Sequence, residues 1–432
     1  MQKLRHAVNG LSGSLRGPSD KSITHRALIL GSLAQGQTYI KQPLASADIT
    51  STMNALRSLG VKFTVQAAGT IVVDSPGMAN FARPENLVLD MGNSGTSTRL
   101  LAGVFAGLDL PVTMTGDASL STRPMQRIIT PLTNLGAEIQ SVDGHLPLTI
   151  SRGIQAQPIK FTLPLGSAQV KNTVLLAGLV AGVATTITDD FGTRDHTEQM
   201  LPAFGVTLEQ VDNTFTIPDG QKLQATEIEV PADISAAAFW LVAGTIVPKS
   251  VIKLTKVNVN QTRAGILKVL NQMGATIKQQ TIAAAEPMAN LEIMAQPSLQ
   301  PVKITAADVP TMIDELPIIA LAATQANGQT IISGAQELAV KETNRITTVT
   351  TELKKLGADI TATYDGFIIN GPTNLAVAAP TTVDGHGDHR IAMMLSIAAL
   401  ITAGEVNLVD PESVVISYPT FFEDLEHLTQ QA

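Results

Sequence analysis

One type of helix ending recurs along this chain and constrains its fold more than any other feature. In each copy an apolar helical segment ends on Leu-Gly or a close variant, and the apolar residues beyond it begin a strand. Glycine accepts the left-handed conformation that ends many helices, so each copy predicts a helix followed by a strand. The five glycines, about 70 to 80 residues apart, are Gly60, Gly136, Gly205, Gly274 and Gly357. A sixth copy, at 418–428, reaches the C-terminus before its strand.

A second series of helical segments alternates with the first. These segments are rich in alanine and nearly uncharged after their first turn, and a helix that is apolar on all sides is a buried helix. They are 21–33, 93–106, 167–181, 233–243, 314–323 and 388–401. The two interleaved series predict six units of about 72 residues, each with one buried helix, one half-exposed helix and connecting strands.

Composition and length indicate how these units combine. Hydrophobic residues make up 44% of the chain but aromatic residues only 3%, so we expect a core of Ala, Leu, Ile and Val with close helix packing. A chain of 432 residues is too long for one core and suits two large domains. Three units per domain would surround a bundle of buried helices with sheets. The positive N-terminal ends of those helices would then converge on one cleft.

Several classes of protein are disfavoured by what the sequence lacks. Cysteine is absent, which removes disulfides, thiolate metal sites and a cysteine nucleophile. The net charge of −8 argues against a nucleic-acid partner. No stretch provides the ~20 uninterrupted apolar residues of a membrane span. Residues 1–11 lack the apolar region of a signal peptide, so we expect a cytoplasmic protein.

Cofactor motifs are also missing. The chain contains neither the G-x-G-x-x-G of dinucleotide sites nor the G-x-S-x-G of serine hydrolases. Lys21-Ser22 lacks the preceding glycine of a P-loop. The segment 384–389 carries two Asp and two His, which suit zinc or manganese, but the adjacent Arg390 would repel a dication. We therefore expect no metal.

Basic residues at helix starts indicate an anionic ligand. The helix dipole disfavours cations at this end, and a bound anion is the simplest compensation. Lys21 and Ser22 in a first turn, with Arg26 one turn later, suit a phosphate. Gly92 and Gly95 would let a ligand approach the backbone of the second buried helix. The basic residues at helix starts, nine of the 29 in the chain, are Lys21, Arg26, Arg99, Arg123, Lys171, Arg194, Lys341, Arg345 and Arg390.

Eight motifs that span nearly the whole chain resemble those of the 5-enolpyruvylshikimate-3-phosphate (EPSP) synthase family. They read GPSDKSITHRAL, GNSGTSTRLL, GDASLSTRPMQRI, SAQVKNTVLLAGL, FGTRDHTEQML, MIDELPIIALAA, VKETNRI and GDHRIAMML. The resemblance implies an α/β fold of two similar domains, each with three βαβαββ-type units around buried parallel helices, an inverse α/β barrel or prism. One domain would contain both termini (1–19 plus 229–432) and the other would be inserted (20–228). The ligand cleft would lie at the hinge between them.

The resemblance also implies an activity and its residues. The family transfers the enolpyruvyl group of phosphoenolpyruvate to the 5-hydroxyl of shikimate 3-phosphate and releases phosphate, in the shikimate pathway of aromatic amino acid biosynthesis. The reaction passes through a tetrahedral intermediate and uses no metal or organic cofactor. The implied shikimate 3-phosphate ligands are Lys21, Ser22, Arg26, Ser167, Gln169, Arg194, Asp314 and Lys341. The implied phosphoenolpyruvate ligands are Lys21, Gly95, Arg123, Gln169, Arg345 and Arg390. The implied catalytic residues are Lys21, Asp314, Glu342 and His389.

The chemistry suits these groups. The two substrates together carry two phosphates and two carboxylates, which require several arginine forks. As a hypothesis, Asp314 is the base for the 5-hydroxyl, Glu342 is the acid for the methylene carbon, and Lys21 assists the loss of phosphate.

The sequence departs from the family pattern at three places. Many members have a late lysine that contacts phosphoenolpyruvate, but no Lys or Arg follows Arg390 here, and the corresponding place falls near 416–417. Ala168 stands where some members have a second Ser, and Glu337 where some have Asn.

Two other functions stay open. The sister family, which adds enolpyruvyl to UDP-N-acetylglucosamine, typically uses a cysteine as the acid, and this chain has none. A non-catalytic protein that binds phosphorylated metabolites is the second alternative, but the carboxylates of Asp314 and Glu342 favour catalysis. The expected partners are the two small-molecule substrates, and the resemblance implies a monomer.

Overall fold

Helices and strands alternate along the computed structural model, which describes residues 1–4, 6, 9–67 and 69–430. The strands are β1 (Gln2–Lys3), β2 (Ser12–Leu15), β3 (Gly36–Lys41), β4 (Lys62–Val65), β5 (Ile71–Ser75), β6 (Val88–Asp90), β7 (Val112–Thr115), β8 (Glu138–Val142), β9 (His145–Arg152), β10 (Ile159–Thr162), β11 (Thr185–Thr188), β12 (Glu209–Val211), β13 (Thr214–Ile217), β14 (Glu227–Glu229), β15 (Val251–Asn258), β16 (Ile277–Ile282), β17 (Met288–Met294), β18 (Lys303–Ile304), β19 (Gly328–Ile332), β20 (Asp359–Thr363), β21 (Gly366–Gly371), β22 (Thr381–Asp384) and β23 (Val406–Val409).

The α-helices are α1 (Lys21–Leu33), α2 (Ala47–Arg57), α3 (Gly95–Gly107), α4 (Ala118–Ser121), α5 (Gln126–Asn134), α6 (Ala168–Ala181), α7 (His196–Met200), α8 (Ile234–Ile246), α9 (Gly265–Gln272), α10 (Leu316–Ala323), α11 (Arg345–Lys355), α12 (His389–Ile401) and α13 (Phe421–Gln430). Short 3-10 helices cover Met78–Asn80, Leu201–Phe204, Val309–Thr311, Ile313–Glu315, Gln336–Val340 and Pro411–Ile416.

The segment from β6 to β9 shows the repeated unit. Strands β6 and β7 pair in parallel and are connected by the buried helix α3. The half-exposed helix α5 leads from β7 into the hairpin β8–β9, and β9 pairs antiparallel with β7. The resulting sheet has the order β6-β7-β9-β8, which is the βαβαββ pattern. The predicted α/β fold of repeated units is therefore confirmed.

The chain divides into two units, each with three such sheets. The terminal unit comprises Met1–Pro18, Ala232–Ala283 and Pro287–Ala432, and the inserted unit comprises Ser19–Pro231 and Ala284–Glu286. Each unit has its own hydrophobic core. The predicted ligand cleft between the two domains stays a prediction.

Two sheets are completed by strands that lie far away in sequence. In the terminal unit β2 pairs in parallel with β15, and in the inserted unit β14 pairs in parallel with β3. In the last unit, α13 is the last described element, and the sheet β1-β23-β22 has no hairpin from that unit among the residues described. Strand β1 instead pairs antiparallel with β23 and occupies one position that the hairpin fills elsewhere.

Proline modifies two of the predicted helices. The fifth buried helix begins at Leu316 instead of 314, after the 3-10 turn Ile313–Glu315, and Pro317 occupies its first turn. Proline lacks a backbone donor and is favoured in the first turn of a helix, where that N–H group has no intrahelical partner. The third half-exposed helix is short for a related reason, since α7 passes into a 3-10 turn that contains Pro202.

Glycine allows two buried helices of the inserted unit to touch along their backbones. A Cβ atom on Gly103 of α3 would lie 2.2 Å from the carbonyl oxygen of Thr173 in α6, and one on Gly107 would lie 2.4 Å from that of Ala177. Neither position has room for a side chain unless the helices separate.

We predict that Gly103→Ala lowers the free energy of unfolding by about 1 to 3 kcal/mol, because the overpacking cost exceeds the ~1 kcal/mol gain in helix propensity. Thermal or denaturant unfolding measures this change. Gly166→Ala is the matched control, since its Cβ would lie 3.4 Å from the nearest atom, a side-chain carbon of Phe191. Equal stability of the two variants would contradict the packing argument.

Candidate active site

The buried helices of the inserted unit each begin with a side-chain cap. Asp20, Ser94 and Ser167 accept a hydrogen bond from the backbone N–H three residues later, at 2.9, 3.2 and 3.5 Å respectively. Each cap satisfies one of the free N–H groups at the helix start and leaves others available to a ligand. The predicted ligand Ser167 is therefore also a structural cap.

Lys21 and Ser22 form the first turn of α1. The side chain of Lys21 is 48% exposed and ion-paired with Asp48 of α2. The backbone carbonyl of Ser22 accepts a hydrogen bond from Nη1 of Arg26 at 3.0 Å. The first turn of α1 thus joins an accessible ammonium group to a guanidinium one turn below it.

Arg26 itself is buried. Its Nε donates to Thr197 Oγ1 of α7 at 2.9 Å, which links α1 to the segment that follows Arg194. Burial lowers the pKa of Arg26, and the charges of Glu198 and Glu286 partly offset this. A buried cation in this position favours an anionic ligand.

Two guanidinium groups flank Gly95, the first residue of α3. A Cβ atom at this position would lie 3.0 Å from Nη1 of Arg99 and 3.6 Å from Nη1 of Arg123. Nη1 of Arg99 also donates to Oε1 of Gln169 at 2.7 Å, which brings together the starts of α3 and α6. Burial first, and then the nearby Arg127 and Arg123, lower the pKa of Arg99 to about 10. These side chains form a basic pocket around a bare stretch of backbone.

Arg123 is held in place by a chain of polar contacts that the sequence did not reveal. Its Nη2 donates to Oδ1 of Asn93 at 2.5 Å and to Ser119 Oγ at 3.3 Å. Nδ2 of Asn93 donates in turn to Asp117 at 2.7 Å. A hydrogen bond from the backbone of Leu120, followed by the one from Asn93, lowers the pKa of Asp117.

A buried chain of hydrogen bonds connects three helices behind this pocket. Nδ1 of His25 lies 2.8 Å from Thr52 Oγ1, which lies 2.6 Å from Ser97 Oγ, and Ser97 Oγ lies 2.6 Å from the cap Ser94. Burial, followed by the charges of Lys21 and Arg26, lowers the pKa of His25 to about 3. The imidazole is therefore neutral at physiological pH and acts as a structural hydrogen-bonding group.

Lys171 is not available to a ligand, although it lies at a helix start. Its side chain is fully buried, with Nζ 3.0 Å from Asp189 and 2.7 Å from Glu198. Asp189 also accepts hydrogen bonds from the backbone and hydroxyl of Thr193, which fixes the loop that leads to the half-buried Arg194. The carboxylates, and not a bound anion, compensate the charge of Lys171.

In the terminal unit, Asp314 lies among three cations. Its carboxylate is 3.2 Å from Lys341 Nζ, 3.6 Å from Arg345 Nη1 and 4.0 Å from Arg390 Nη2. Nη1 of Arg390 also donates to the backbone carbonyl of Asp314 at 3.3 Å. The side chains of Asp314 and Lys341 are 18% and 27% exposed, so both can reach a ligand. The structure thus brings together four of the residues predicted for this site.

Arg345 is the most constrained of these cations. Its side chain is 1% exposed, Nε donates to Asp388 at 2.8 Å, and Nη2 donates to Glu342 at 2.6 Å. Among the residues that the structure describes, Nη1 has no hydrogen-bond acceptor. Burial acts against the charge of Arg345, but Asp388 and then Glu342 and Asp314 raise its pKa.

Glu342 and His389 differ in accessibility. The Glu342 side chain is 49% exposed, and the contact with Arg345 orients it. His389 is buried at the first position of α12, and burial, then the charge of Arg390, lowers its pKa to about 4. Within the described part of the chain, its Nδ1 has no hydrogen-bond partner.

A cation near the fourth buried helix was missed. The nine basic residues identified at helix starts include none near 233–235, but Arg263, near the start of α9, reaches this helix start. Its Nη2 lies 2.5 Å from Ser235 Oγ and 3.6 Å from Asp233, and its Nη1 lies 3.3 Å from Glu315. Arg263 lies far from these residues in sequence, so no local motif could reveal the contact.

The structure shows the surroundings of the three positions at which the sequence departs from the family pattern. Ile416, near the place of the missing lysine, is 74% exposed at the end of a 3-10 helix. Ala168 begins α6, and Glu337 lies in the 3-10 helix Gln336–Val340.

Neither a metal site nor a membrane span is evident in the residues that the structure describes. No group of three or more His, Asp or Glu side chains among them could hold a metal ion. The segment 384–389 is instead occupied with internal contacts, such as His386 Nε2 with Glu352 at 3.1 Å. Of the described helices, none is long and apolar enough to cross a membrane.

Comparison with known proteins gives a consistent result. A family model described as EPSP synthase (3-phosphoshikimate 1-carboxyvinyltransferase) matches residues 6–425. A 3-phosphoshikimate 1-carboxyvinyltransferase of Leuconostoc citreum is 47% identical over 425 residues, 98% of each chain. One of Bacillus pumilus is 48% identical over 430 residues, 98% of this chain and 99% of the relative.

Solved structures agree with the sequence matches. An EPSP synthase from Acinetobacter baumannii superposes with a TM-score of 0.91 and 38% identity, over 99% of this chain and 98% of that chain. The enolpyruvyl transferase NikO from Streptomyces tendae has a TM-score of 0.74 and 20% identity, over 99% of this chain and 97% of that chain, and supports the fold alone.

The depressed pKa of His25 predicts a pH-dependent stability. The folded protein holds this imidazole neutral down to a pH of about 3, whereas the unfolded chain binds the proton near pH 6.5. The stabilisation is therefore present above pH 6.5 and is lost as the pH falls toward 3. Wild type loses this stabilisation between pH 7.5 and pH 4.5, whereas His25→Asn has none to lose. The free energy of unfolding of wild type minus that of His25→Asn should therefore be about 2 to 3 kcal/mol smaller at pH 4.5 than at pH 7.5.

Denaturant unfolding at the two pH values measures this change. His145→Asn, in the hairpin β8–β9, controls for the general loss of a histidine. Parallel stability curves for wild type and His25→Asn would contradict the prediction.

Proposed function

Because the chain belongs to the EPSP synthase family of 3-phosphoshikimate 1-carboxyvinyltransferases, we propose that its two clusters of cations bind the substrates of that reaction. The reaction transfers the enolpyruvyl group of phosphoenolpyruvate to shikimate 3-phosphate and belongs to the shikimate pathway. The single observation that carries the proposal is the basic pocket at Gly95, where the guanidinium groups of Arg99 and Arg123 flank a helix start that has no side chain. Such a pocket suits a phosphate or carboxylate.

Shikimate 3-phosphate is assigned to groups of both units. In the inserted unit, the accessible Lys21 ammonium, the first turn of α1 and the buried charge of Arg26 suit its phosphate. Asp314 and Lys341 are 3.2 Å apart, and a carboxylate beside an ammonium suits hydroxyl groups. The proposed ligands are Lys21, Ser22, Arg26, Ser167, Gln169, Arg194, Asp314 and Lys341.

Phosphoenolpyruvate needs several cations because it carries both a phosphate and a carboxylate. Gly95 leaves the space beside Arg99 and Arg123 free of a side chain, and Arg123 supplies a fork that Asn93 holds in place. Arg390 is 14% exposed and can present its guanidinium to a ligand. The proposed ligands are Lys21, Gly95, Arg123, Gln169, Arg345 and Arg390.

The proton transfers fall to two carboxyl groups. In the addition step the oxygen of the 5-hydroxyl group bonds to C2 of phosphoenolpyruvate, and Asp314 accepts the proton of that hydroxyl. Glu342 donates a proton to C3. In the elimination step C3 returns a proton to Glu342 and the C2–O bond to phosphate breaks, with Lys21 balancing the charge of the leaving group. The Glu342 side chain is half-exposed and therefore accessible to a substrate, and its contact with Arg345 orients it.

His389 has a supporting part in this scheme. Because burial and Arg390 lower its pKa to about 4, the imidazole is neutral at physiological pH. Its buried Nδ1 and the proximity of Glu342 suit a group that hydrogen-bonds near the acid without competing for its proton.

Release of phosphate from phosphoenolpyruvate tests the function. We expect release with shikimate 3-phosphate and none with UDP-N-acetylglucosamine, with the enolpyruvyl ether as the second product. Binding of shikimate 3-phosphate without release would instead support the non-catalytic alternative, and release with the UDP-sugar would support the sister activity.

Asp314→Asn tests the base within the same assay. Loss of a general base lowers kcat by about 10²- to 10⁴-fold, while the remaining contacts keep most of the affinity for shikimate 3-phosphate, measured by calorimetry. Glu337→Gln, a nearby acidic residue outside the cluster, is the control. Near-normal turnover of Asp314→Asn would remove Asp314 from this role.

We also propose that the protein is a cytoplasmic monomer, as the family resemblance implies. Sedimentation equilibrium tests the oligomeric state, and a molecular mass well above the 45.4 kDa of one chain would contradict it.

A further inference from the structure

A second carboxylate, Glu315, lies beside Asp314 but faces away from solvent. Its side chain is 0% exposed within the 3-10 turn that precedes α10. Its two oxygens lie 3.3 and 3.5 Å from Nη1 of Arg263, and Oε1 accepts a hydrogen bond from the Ser235 hydroxyl. The same Oε1 lies 3.7 Å from Nη1 of Arg390. Glu315 therefore lies between two guanidinium groups.

The three partners of Glu315 come from separate elements of the terminal unit. Ser235 lies in the first turn of α8, Arg263 lies just before α9, and Arg390 lies in the first turn of α12. Their contacts fix the carboxylate from the starts of two buried helices and from a neighbouring loop. Since the Arg263 side chain is itself only 6% exposed, the pair Arg263–Glu315 is rigid and shielded from water.

A buried ion pair is seldom needed for stability. Its desolvation cost offsets most of the attraction, and apolar side chains of similar volume often stabilise a protein as well or better. We therefore look for a role of this network other than stability. Of Glu315 and its partners, Arg390 is the most accessible to a ligand, with 14% of its side chain exposed. Apart from Glu315, the groups that the Arg390 side chain contacts among the described residues are the carboxylate of Asp314 at 4.0 Å and its carbonyl oxygen at 3.3 Å.

We propose that Glu315, held by Arg263 and Ser235, is a positioning residue that orients the Arg390 guanidinium toward phosphoenolpyruvate. The inference rests on the proposed function, which makes Arg390 a phosphoenolpyruvate ligand. Without the buried carboxylate, Arg390 would turn toward Asp314, the remaining acid within its reach. That movement would draw the guanidinium away from phosphoenolpyruvate and leave the shikimate 3-phosphate ligands of the inserted unit unchanged.

The test must not change the charge of the network. Glu315→Gln would remove a negative charge beside Arg390, and the higher positive potential would strengthen anion binding and mask a loss of orientation. Glu315→Asp keeps the charge but withdraws the carboxylate by one methylene, so that it no longer spans both guanidinium groups. Arg263→Lys likewise keeps the charge and loses the fork.

Steady-state kinetics of phosphate release then measure the effect. We expect Glu315→Asp to raise KM for phosphoenolpyruvate by about tenfold, with KM for shikimate 3-phosphate and kcat within about threefold of wild type. Arg263→Lys should show the same selective change, and it serves in place of Glu315→Asp if that variant fails to fold. A KM for phosphoenolpyruvate within about twofold of wild type in the folded variants would overturn the proposal.

Glu352→Asp is the matched control. Glu352 is another acid of the terminal unit, 1% exposed and paired with Lys355 at 2.8 Å, and it does not contact Arg390. We expect its substitution to lower the melting temperature while KM for phosphoenolpyruvate stays within about twofold of wild type. An equal rise in KM for both substrates in Glu315→Asp would indicate general damage and contradict a positioning role.

The Arg390→Lys background shows whether Glu315 acts through Arg390. Arg390→Lys alone should raise KM for phosphoenolpyruvate, and adding Glu315→Asp should then change it by less than about twofold, since the effects of coupled residues do not add. A full tenfold further rise would overturn the proposal. If Arg390→Lys leaves KM for phosphoenolpyruvate unchanged, Arg390 is not a phosphoenolpyruvate ligand and both proposals are wrong. If Arg390→Lys raises this KM but Glu315→Asp does not, only the positioning role of Glu315 is wrong.

Discussion

The positive ends of the buried helices and the basic side chains around them repel one another, and the means of compensation differs from one helix to the next. Lys171 lies against two carboxylates within 3 Å, so it belongs to the internal structure. Around Gly95, in contrast, burial first and then the charges of Arg127 and Arg123 lower the pKa of Arg99 to about 10. A bound anion would relieve this repulsion, and the start of α3 is therefore part of the binding site proposed above.

The core is organised so that these helix starts can be held close together. Glycine at positions 103 and 107 lets α3 and α6 touch along their backbones, and small residues replace the aromatic side chains that most cores use. The hydrogen-bond chain from His25 to Ser94 then fixes the start of α3 relative to α1. In the terminal unit, the pair Arg263–Glu315 has a comparable place behind Asp314 and Arg390. Binding groups on rigid, buried elements lose little entropy when a ligand arrives.

Much of this arrangement could be predicted because local patterns determine it. The glycine period predicted the six units and the uncharged segments predicted the buried helices. The family resemblance, together with the helix-start motifs, indicated Asp314, Lys341, Arg345 and Arg390 as site residues. The remainder depends on contacts between distant segments. Nothing near Lys171 in sequence reveals that Asp189 and Glu198 enclose it, and Arg263 reaches Glu315 only through the packing of separate units. The 3-10 turn at Asp314 was not predicted; it directly precedes α10, whose first turn contains Pro317.

The central claim is that the helix-start cations recognise the phosphate of shikimate 3-phosphate, and a comparison of two acceptors tests it most directly. Specificity constants would be measured for shikimate 3-phosphate and for shikimate at saturating phosphoenolpyruvate. Because Lys21 and the buried Arg26 would be left without their anion, we predict that shikimate is poorer by about 10⁴-fold or more. Equal specificity constants for the two acceptors would contradict a dedicated phosphate site at the start of α1.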